Sequence, residues 1–299
     1  TFISVLKTCG SINAIDKGKQ IHEEILAKGL LKHNNIVLGN ALVEMYTNCR
    51  ELAKAREVVK ELPVRNTVSW NLLIAGYAQE GQAHEALNCF ECMKREGFFP
   101  NEITFTCILK ACSCIGAIDN GKVIHNELVC RGLLKGNIVL GNSLVDMYAK
   151  CCLFEEADHV VEALFLHNVV SWSALIAGYA QDGQSHEALK CFARMQREGI
   201  SPNEITFASI LKACGSIGAI DKGKQIHDDI ANAGLLKRNI VLGTALVDMY
   251  AKCGMLLKAQ EVLEELSIRN VVSWNALLGG YAQEGNWHEA LNVFERMQK

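Results

Sequence analysis

Several short stretches of this 299-residue sequence carry residue types that can do chemistry. Gly116–Lys122 (GAIDNGK) and Gly218–Lys224 (GAIDKGK) satisfy most of the phosphate-loop pattern G-x-x-x-x-G-K. That loop follows a strand and continues with Ser or Thr, whose hydroxyl holds magnesium. Here Val123 and Gln225 follow and a helical pattern precedes. The earliest copy has Asn13 for the leading Gly, and Asp119 and Asp221 would set negative charge beside a phosphate. These stretches read as helix-turn-helix packing. His22-Glu23-Glu24 and His125-Asn126-Glu127 match the H-x-E of zinc deaminases, which also need Pro-Cys-x-x-Cys. No Pro precedes a Cys, and Cys89-x-x-Cys92 stands alone, with Cys191/Arg194 and Val293/Arg296 at its counterparts. His84, His186 and His288 each precede Glu without a second His four residues on. No catalytic residue, metal site or cofactor is therefore expected, and the histidines read as surface or interhelical hydrogen-bonding residues.

Trp70, Trp172 and Trp274 have the flat faces of base-stacking platforms. Their helical spacing with Leu and Tyr reads instead as core, and Trp287, whose counterparts are Ala83 and Ser185, as incidental. The formal net charge of −3 neither demands nor forbids nucleic acid. The thirteen cysteines show no disulfide spacing, so free thiols and a reducing compartment are expected. No apolar run approaches the ~20 residues of a membrane span, and the chain opens inside a repeat with no basic, apolar-cored leader.

The elements that position these residues follow from a strict repeat. NTVSWNLLIAGYAQEGQAHEALNCF begins at Asn66, and near copies begin at Asn168 and Asn270, 102 residues apart. Trp172, Leu175, Ile176, Tyr179 and Ala180 form one helix face, with Ser171 the expected cap and Gly183 the end. Leu189, Phe192 and Met195 line a second helix, stopped by Gly199. The unit divides into hairpins of 35, 36 and 31 residues. Their twentieth position is always small: Gly18, Ala55, Ala86, Gly121, Ala157, Ala188, Gly223, Ala259 and Ala290. A helical Gly costs about 1 kcal/mol relative to Ala, and close backbone approach is the natural compensation. The expected fold is all-α, an α-solenoid of nine hairpins.

Three positions of the hairpins stand out. The fifth is Asn71, Ser173 or Asn275 in the 35-type, Asn40, Asn142 or Thr244 in the 31-type, and Ile3, Thr106 or Ala208 in the 36-type. The last residue is always Asn: Asn35, Asn66, Asn101, Asn137, Asn168, Asn203, Asn239 and Asn270. The second is Val or Ile: Val37, Val68, Ile103, Val139, Val170, Ile205, Val241 and Val272.

The pattern VVSWNALIAGYAQxG…EAL…PN resembles the pentatricopeptide repeat, a tandem RNA-binding family of plant organelles. The three lengths resemble its PLS subclass; LKACGSIGAIDKGKQIH is similar to the L motif and GNALVDMYAKCG to the S motif. The resemblance implies a right-handed superhelix in one array over 1–299: L 1–35, S 36–66, P 67–101, L 102–137, S 138–168, P 169–203, L 204–239, S 240–270 and a truncated P 271–299. It implies one motif per nucleotide, read by the fifth and last positions with the RNA 5′ to 3′ along the chain. Val37, Val68, Val139, Val170, Val241 and Val272 would sandwich bases. Asn40/Asn66, Asn71/Asn101 and Asn142/Asn168 would prefer pyrimidines, C favoured; Ser173/Asn203 and Thr244/Asn270 would prefer A; and Asn275 a pyrimidine. Ile3 and Ala208 would read nothing, and Thr106 weakly, giving 5′-YYnYAnAY-3′ after an unread first nucleotide.

The implied role is targeting in organellar C-to-U editing, in chloroplast or mitochondrion. Multiple organellar RNA editing factor proteins would contact the L motifs. The deaminase region of the subclass has no counterpart in these residues, so no enzymatic activity is expected, and no membrane contact. RNA stabilisation or processing is the nearest other role. A protein-binding scaffold of tetratricopeptide type would instead show a uniform period of about 34.

Overall fold

The computed structural model describes residues 1–31, 35–163, 168–236 and 239–298. The expected extra residue of the first hairpin, near Lys32–Asn35, falls largely outside them. All regular structure among the described residues is helical.

The chain forms two compact units, Thr1–Cys151 and Cys152–Lys299. The first holds α1 (Phe2–Ser11), α2 (Ile15–Ala27), α3 (Ile36–Asn48), α4 (Leu52–Glu61), α5 (Thr67–Gln79), α6 (Ala83–Arg95), α7 (Glu102–Ile115), α8 (Ile118–Cys130) and α9 (Ile138–Lys150). The second holds α10 (Phe154–Ala163), α11 (Val169–Gln181), α12 (Ser185–Arg197), α13 (Glu204–Ile217), α14 (Ile220–Asn232), α15 (Ile240–Lys252), α16 (Leu256–Glu265), α17 (Val271–Gln283) and α18 (Trp287–Met297). Within each unit the odd-numbered helices pack on one another in order, and each even-numbered helix packs beside its odd-numbered neighbours. Among the described residues of each unit, no helix contacts another more than two along the chain, the mark of a helical-repeat solenoid.

The core is the apolar stripe of each helix. Trp70, Leu73, Ile74 and Tyr77 of α5 are all buried, as are Trp172, Leu175 and Ile176 of α11. The tryptophans thus serve packing, while Trp287 is exposed. Tyr179 is half-buried and stacks on Phe154, ring centroids 4.2 Å apart. Histidines of the L hairpins bond tyrosines of the next: His22 Nδ1 lies 2.9 Å from Tyr46 Oη, His125 2.8 Å from Tyr148 and His227 3.0 Å from Tyr250.

The phosphate-loop resemblance dissolves into two packing demands. Gly116 ends α7 in the left-handed region at φ 64°, and Gly218 ends α13 at φ 68°. Asn13 takes the same place at φ 55°, which Asn tolerates better than most side-chain-bearing residues. The second glycine of the motif is the small twentieth residue. A Cβ on Gly121 would lie 2.7 Å from Met147 Sδ, and one on Gly223 2.5 Å from Met249 Sδ. The alanines at this register, from Ala55 to Ala259, are fully buried, and Ala290 is half-buried.

One local expectation is corrected. Ser171 is the third residue of α11, and the cap is Asn168, whose Oδ1 accepts from the N–H groups of Val170 (2.8 Å) and Ser171 (3.2 Å). The extended backbone of Asn168 turns its side chain over the unpaired N–H groups of the first turn, and the N–H of Ser171 is one of these.

Candidate nucleic-acid interface

Each odd-numbered helix after α1 starts the same way. The last Asn of one hairpin caps the first helix of the next, its Oδ1 accepting from the second or third helical N–H. A carbonyl oxygen must face those N–H groups, so the amide orientation is fixed and Nδ2 turns away from the helix. Among the described residues Nδ2 of Asn101 has no protein partner, and Asn101 is exposed.

One residue into each of these helices comes the aliphatic ladder. Val37, Val68, Ile103 and Val139 in the first unit, and Val170, Ile205, Val241 and Val272 in the second, are each between 51% and 63% exposed. Exposed valines are ordinary singly; one at the same register of successive helices is a pattern that folding does not require. The fifth hairpin position stands three residues further on, a neighbour on the same face.

Fifth-position side chains meet the last Asn of their own hairpin and a hydroxyl of the following one that the sequence did not single out. Asn71 Nδ2 donates to Asn101 Oδ1 at 2.9 Å, while Asn71 Oδ1 accepts from Thr104 Oγ1 at 2.5 Å. Asn40 Nδ2 lies 3.5 Å from Asn66 Oδ1, and Asn40 Oδ1 accepts from Ser69 Oγ at 2.6 Å. Ser173 Oγ lies 3.1 Å from Asn203 Oδ1 and 2.7 Å from Thr206 Oγ1. Asn71 and Ser173 are only 7% and 3% exposed, so these two junctions are closed.

The junction at Thr244 is open. A cavity of about 520 Å³ is lined by Thr244, Asn270, Val241 and Val272, with Ala208, Ala245 and Ala276 adding apolar surface and Lys212 and Asp248 adding charge. Thr244 Oγ1 is buried there without a hydrogen-bond partner. The hydroxyl of Ser273, which could have closed the junction, donates to Asn270 O at 2.8 Å.

Asn142 is half-buried on α9 in the first unit, and Asn168, its partner in the sequence reading, caps α11 in the second. Asn275 is exposed on α17. Ile3, Thr106 and Ala208 are half-buried, and Thr106 Oγ1 is buried without a partner. The third position of the next hairpin also differs: it is Ser69, Thr104, Ser171, Thr206 or Ser273 after the reading positions above, but Leu38, Leu140 and Leu242 after Ile3, Thr106 and Ala208. No group of three or more His, Cys, Asp or Glu side chains suited to a metal gathers among the described residues, and no helix there is long and apolar enough to cross a membrane.

Stacked hairpins with a repeated aliphatic and polar ladder define an all-α helical-repeat solenoid. The profile described as PPR repeat family matches residues 65–114 and 167–216, and that of the PPR repeat matches 244–271 and 272–299. The chain belongs to the pentatricopeptide repeat family. It is 38% identical over 300 residues to a putative pentatricopeptide repeat-containing protein of Arabidopsis thaliana, covering 99% of this chain and 43% of that one. It is 37% identical to a chloroplastic member from the same plant, covering 100% and 48%, and 37% identical to a mitochondrial one, covering 99% and 28%. The chain thus spans about half the length or less of these relatives. Among solved structures it resembles the pentatricopeptide repeat protein PPR10 in complex with an 18-nt psaJ RNA element, with TM-score 0.75 and 21% identity, covering 94% of this chain and 42% of that one. PPR10 from maize gives TM-score 0.72 at 20% identity, covering 94% and 41%.

Proposed function

We propose that this chain binds single-stranded RNA, reading one base per hairpin through its fifth and last positions, with the preferred sequence 5′-YYnYAnAY-3′. The observation that carries this is the open junction at Thr244. It joins an unpartnered hydroxyl, a capping Asn and two exposed valines around one cavity. A flat base fits between the valines with its polar edge toward Thr244 and Asn270, and the Thr244 O–H donates to adenine N1. The relative solved with RNA supports the ligand class.

The caps supply a physical basis for the base choice. An Asn pinned through Oδ1 offers a donor, Nδ2–H, to whatever lies in the groove. Ring nitrogens of C and A accept there, whereas those of U and G carry a proton. Each well-made base-edge contact discriminates by about 1–3 kcal/mol. At the Asn40 and Asn71 junctions each reading amide has a second N–H, which suits cytosine N3.

The L hairpins at Ile3, Thr106 and Ala208 lack the following hydroxyl and are assigned as spacers, free for protein contacts such as multiple organellar RNA editing factor proteins. The biological role that follows is target selection in organellar C-to-U editing. Relatives named as chloroplastic and mitochondrial support an organelle. The test is selection from randomised RNA. Exchange of Asn71 and Asn142 for Thr should move two selected positions from pyrimidine to A; an unchanged motif refutes the register.

A further inference from the structure

We infer that the third residue after two of the junctions, Ser69 after Asn40 and Thr104 after Asn71, is a specificity-determining residue: it helps set which way the preceding hairpin's reading amide faces. The inference rests on the base-reading proposal and adds a member to its site. In sequence Thr104 sits 33 residues after Asn71, and Ser69 29 residues after Asn40.

Hydrogen-bond accounting at the Asn71 junction leaves one arrangement. Asn101 Oδ1 accepts the backbone N–H of Thr104 at 3.1 Å and Nδ2–H of Asn71 at 2.9 Å, which occupies both lone pairs. Thr104 Oγ1 accepts the N–H of Asn101 at 3.1 Å. Thr104 Oγ1 also lies 3.0 Å from the filled Asn101 Oδ1, and its single proton goes to Asn71 Oδ1, 2.5 Å from the hydroxyl oxygen. The carbonyl of Asn71 is therefore turned toward Thr104, and one Nδ2–H is left over on this 7% exposed residue. The groups the junction leaves unused, one N–H of Asn71 and the Nδ2 of Asn101, are both donors.

Cytosine presents two adjacent acceptors, N3 and O2, on its Watson–Crick edge; uracil interrupts its acceptors with N3–H. A junction of two donors selects C over U. Without the hydroxyl, the bond from Asn71 Nδ2–H to Asn101 Oδ1 alone holds the amide, and an amide that breaks that one bond can turn over and accept from uracil N3–H as well as donate to cytosine. The Asn40 junction repeats the geometry with Ser in place of Thr: Ser69 Oγ reaches Asn40 Oδ1 at 2.6 Å, and Ser69 N–H reaches Asn66 Oδ1 at 2.9 Å. Two residue types that share only a hydroxyl thus do the same thing. At the L-to-S junctions Leu140 replaces the hydroxyl, and Thr106 Oγ1 is left without a partner.

The experiment is selection from randomised RNA with the parent chain, Thr104→Val, Thr104→Ser and Ser69→Ala, alongside denaturation midpoints. The parent should select C over U at the nucleotides of Asn40 and Asn71. Thr104→Val should lose that choice about tenfold at the Asn71 nucleotide alone, Thr104→Ser should keep it, and Ser69→Ala should lose it at the Asn40 nucleotide alone. A Val variant with unchanged C preference overturns the inference, as does one whose preferences fade at every position together, which is the signature of lost stability. A parent without positional preference overturns the base-reading proposal, and this inference with it.

Discussion

At the scale of single residues, the capping Asn does two jobs through two ends of one amide. Oδ1 closes a helix end, and Nδ2 faces outward at the end of the chain's polar ladder. The jobs can be separated. Asp caps a helix as well as Asn does, and its charge is favourable at a helix N-terminus by about 0.3–1 kcal/mol. Asn101→Asp should hold stability within about 1 kcal/mol and exchange the outward donor for an acceptor. Preference at the Asn71 nucleotide should then shift from C toward U, measured by binding to matched oligonucleotides. Asn101→Ala should instead cost about 1 kcal/mol in chemical denaturation, with weakened reading at the same nucleotide.

At the scale of elements, the fold is held by close approach between neighbouring helices. Gly76 of α5 is the tightest example among residues whose neighbours cannot give way. A Cβ there would collide with Thr47 Cγ2 of α3 and lie 2.9 Å from Leu52 Cδ2 of α4. Gly76→Ala gains about 1 kcal/mol of helix propensity, but overpacking costs about 1–3 kcal/mol, and the branched Thr47 has no flexible end to move. Net destabilisation is expected, read as a lower denaturation midpoint. The His–Tyr bonds add a pH dependence. Burial lowers the pKa of His22, His125 and His227 below the ordinary 6.5 and pushes Tyr46 up to about 12, so its hydroxyl remains a donor. Below pH 6.5 the unfolded chain takes protons that the folded chain refuses. These groups' stabilisation is complete above 6.5 and is lost as pH falls through the folded-state values. Denaturation at pH 5 should show lower stability than at pH 7.5, and equal stability would contradict the assignment.

At the scale of the whole molecule, a formal net charge of −3 leaves little for counterion release. RNA affinity carried by base contacts should depend weakly on salt. A plot of log affinity against log salt should have a slope no steeper than about −2, corresponding to some three neutralised phosphates on a single strand.

The period of 102 residues, the spacing of Trp172, Leu175 and Ile176, and the small twentieth positions were enough to specify an all-α repeat and its buried stripes. These are local or periodic properties, and a helix face is decided by residues within two turns. The register that sets Val68 and Asn71 three residues apart on one helix face was equally legible, but not that Asn71 is buried there while Val68 is exposed. Tertiary structure alone decided what those side chains meet. Thr104 reaches Asn71 across 33 residues, the cap of α11 is Asn168 and not Ser171, and the Thr244 junction stands open while that of Asn71 is closed. Periodicity says which face a residue occupies, but a hydrogen bond depends on tenths of an ångström between two helices, and their stacking fixes those.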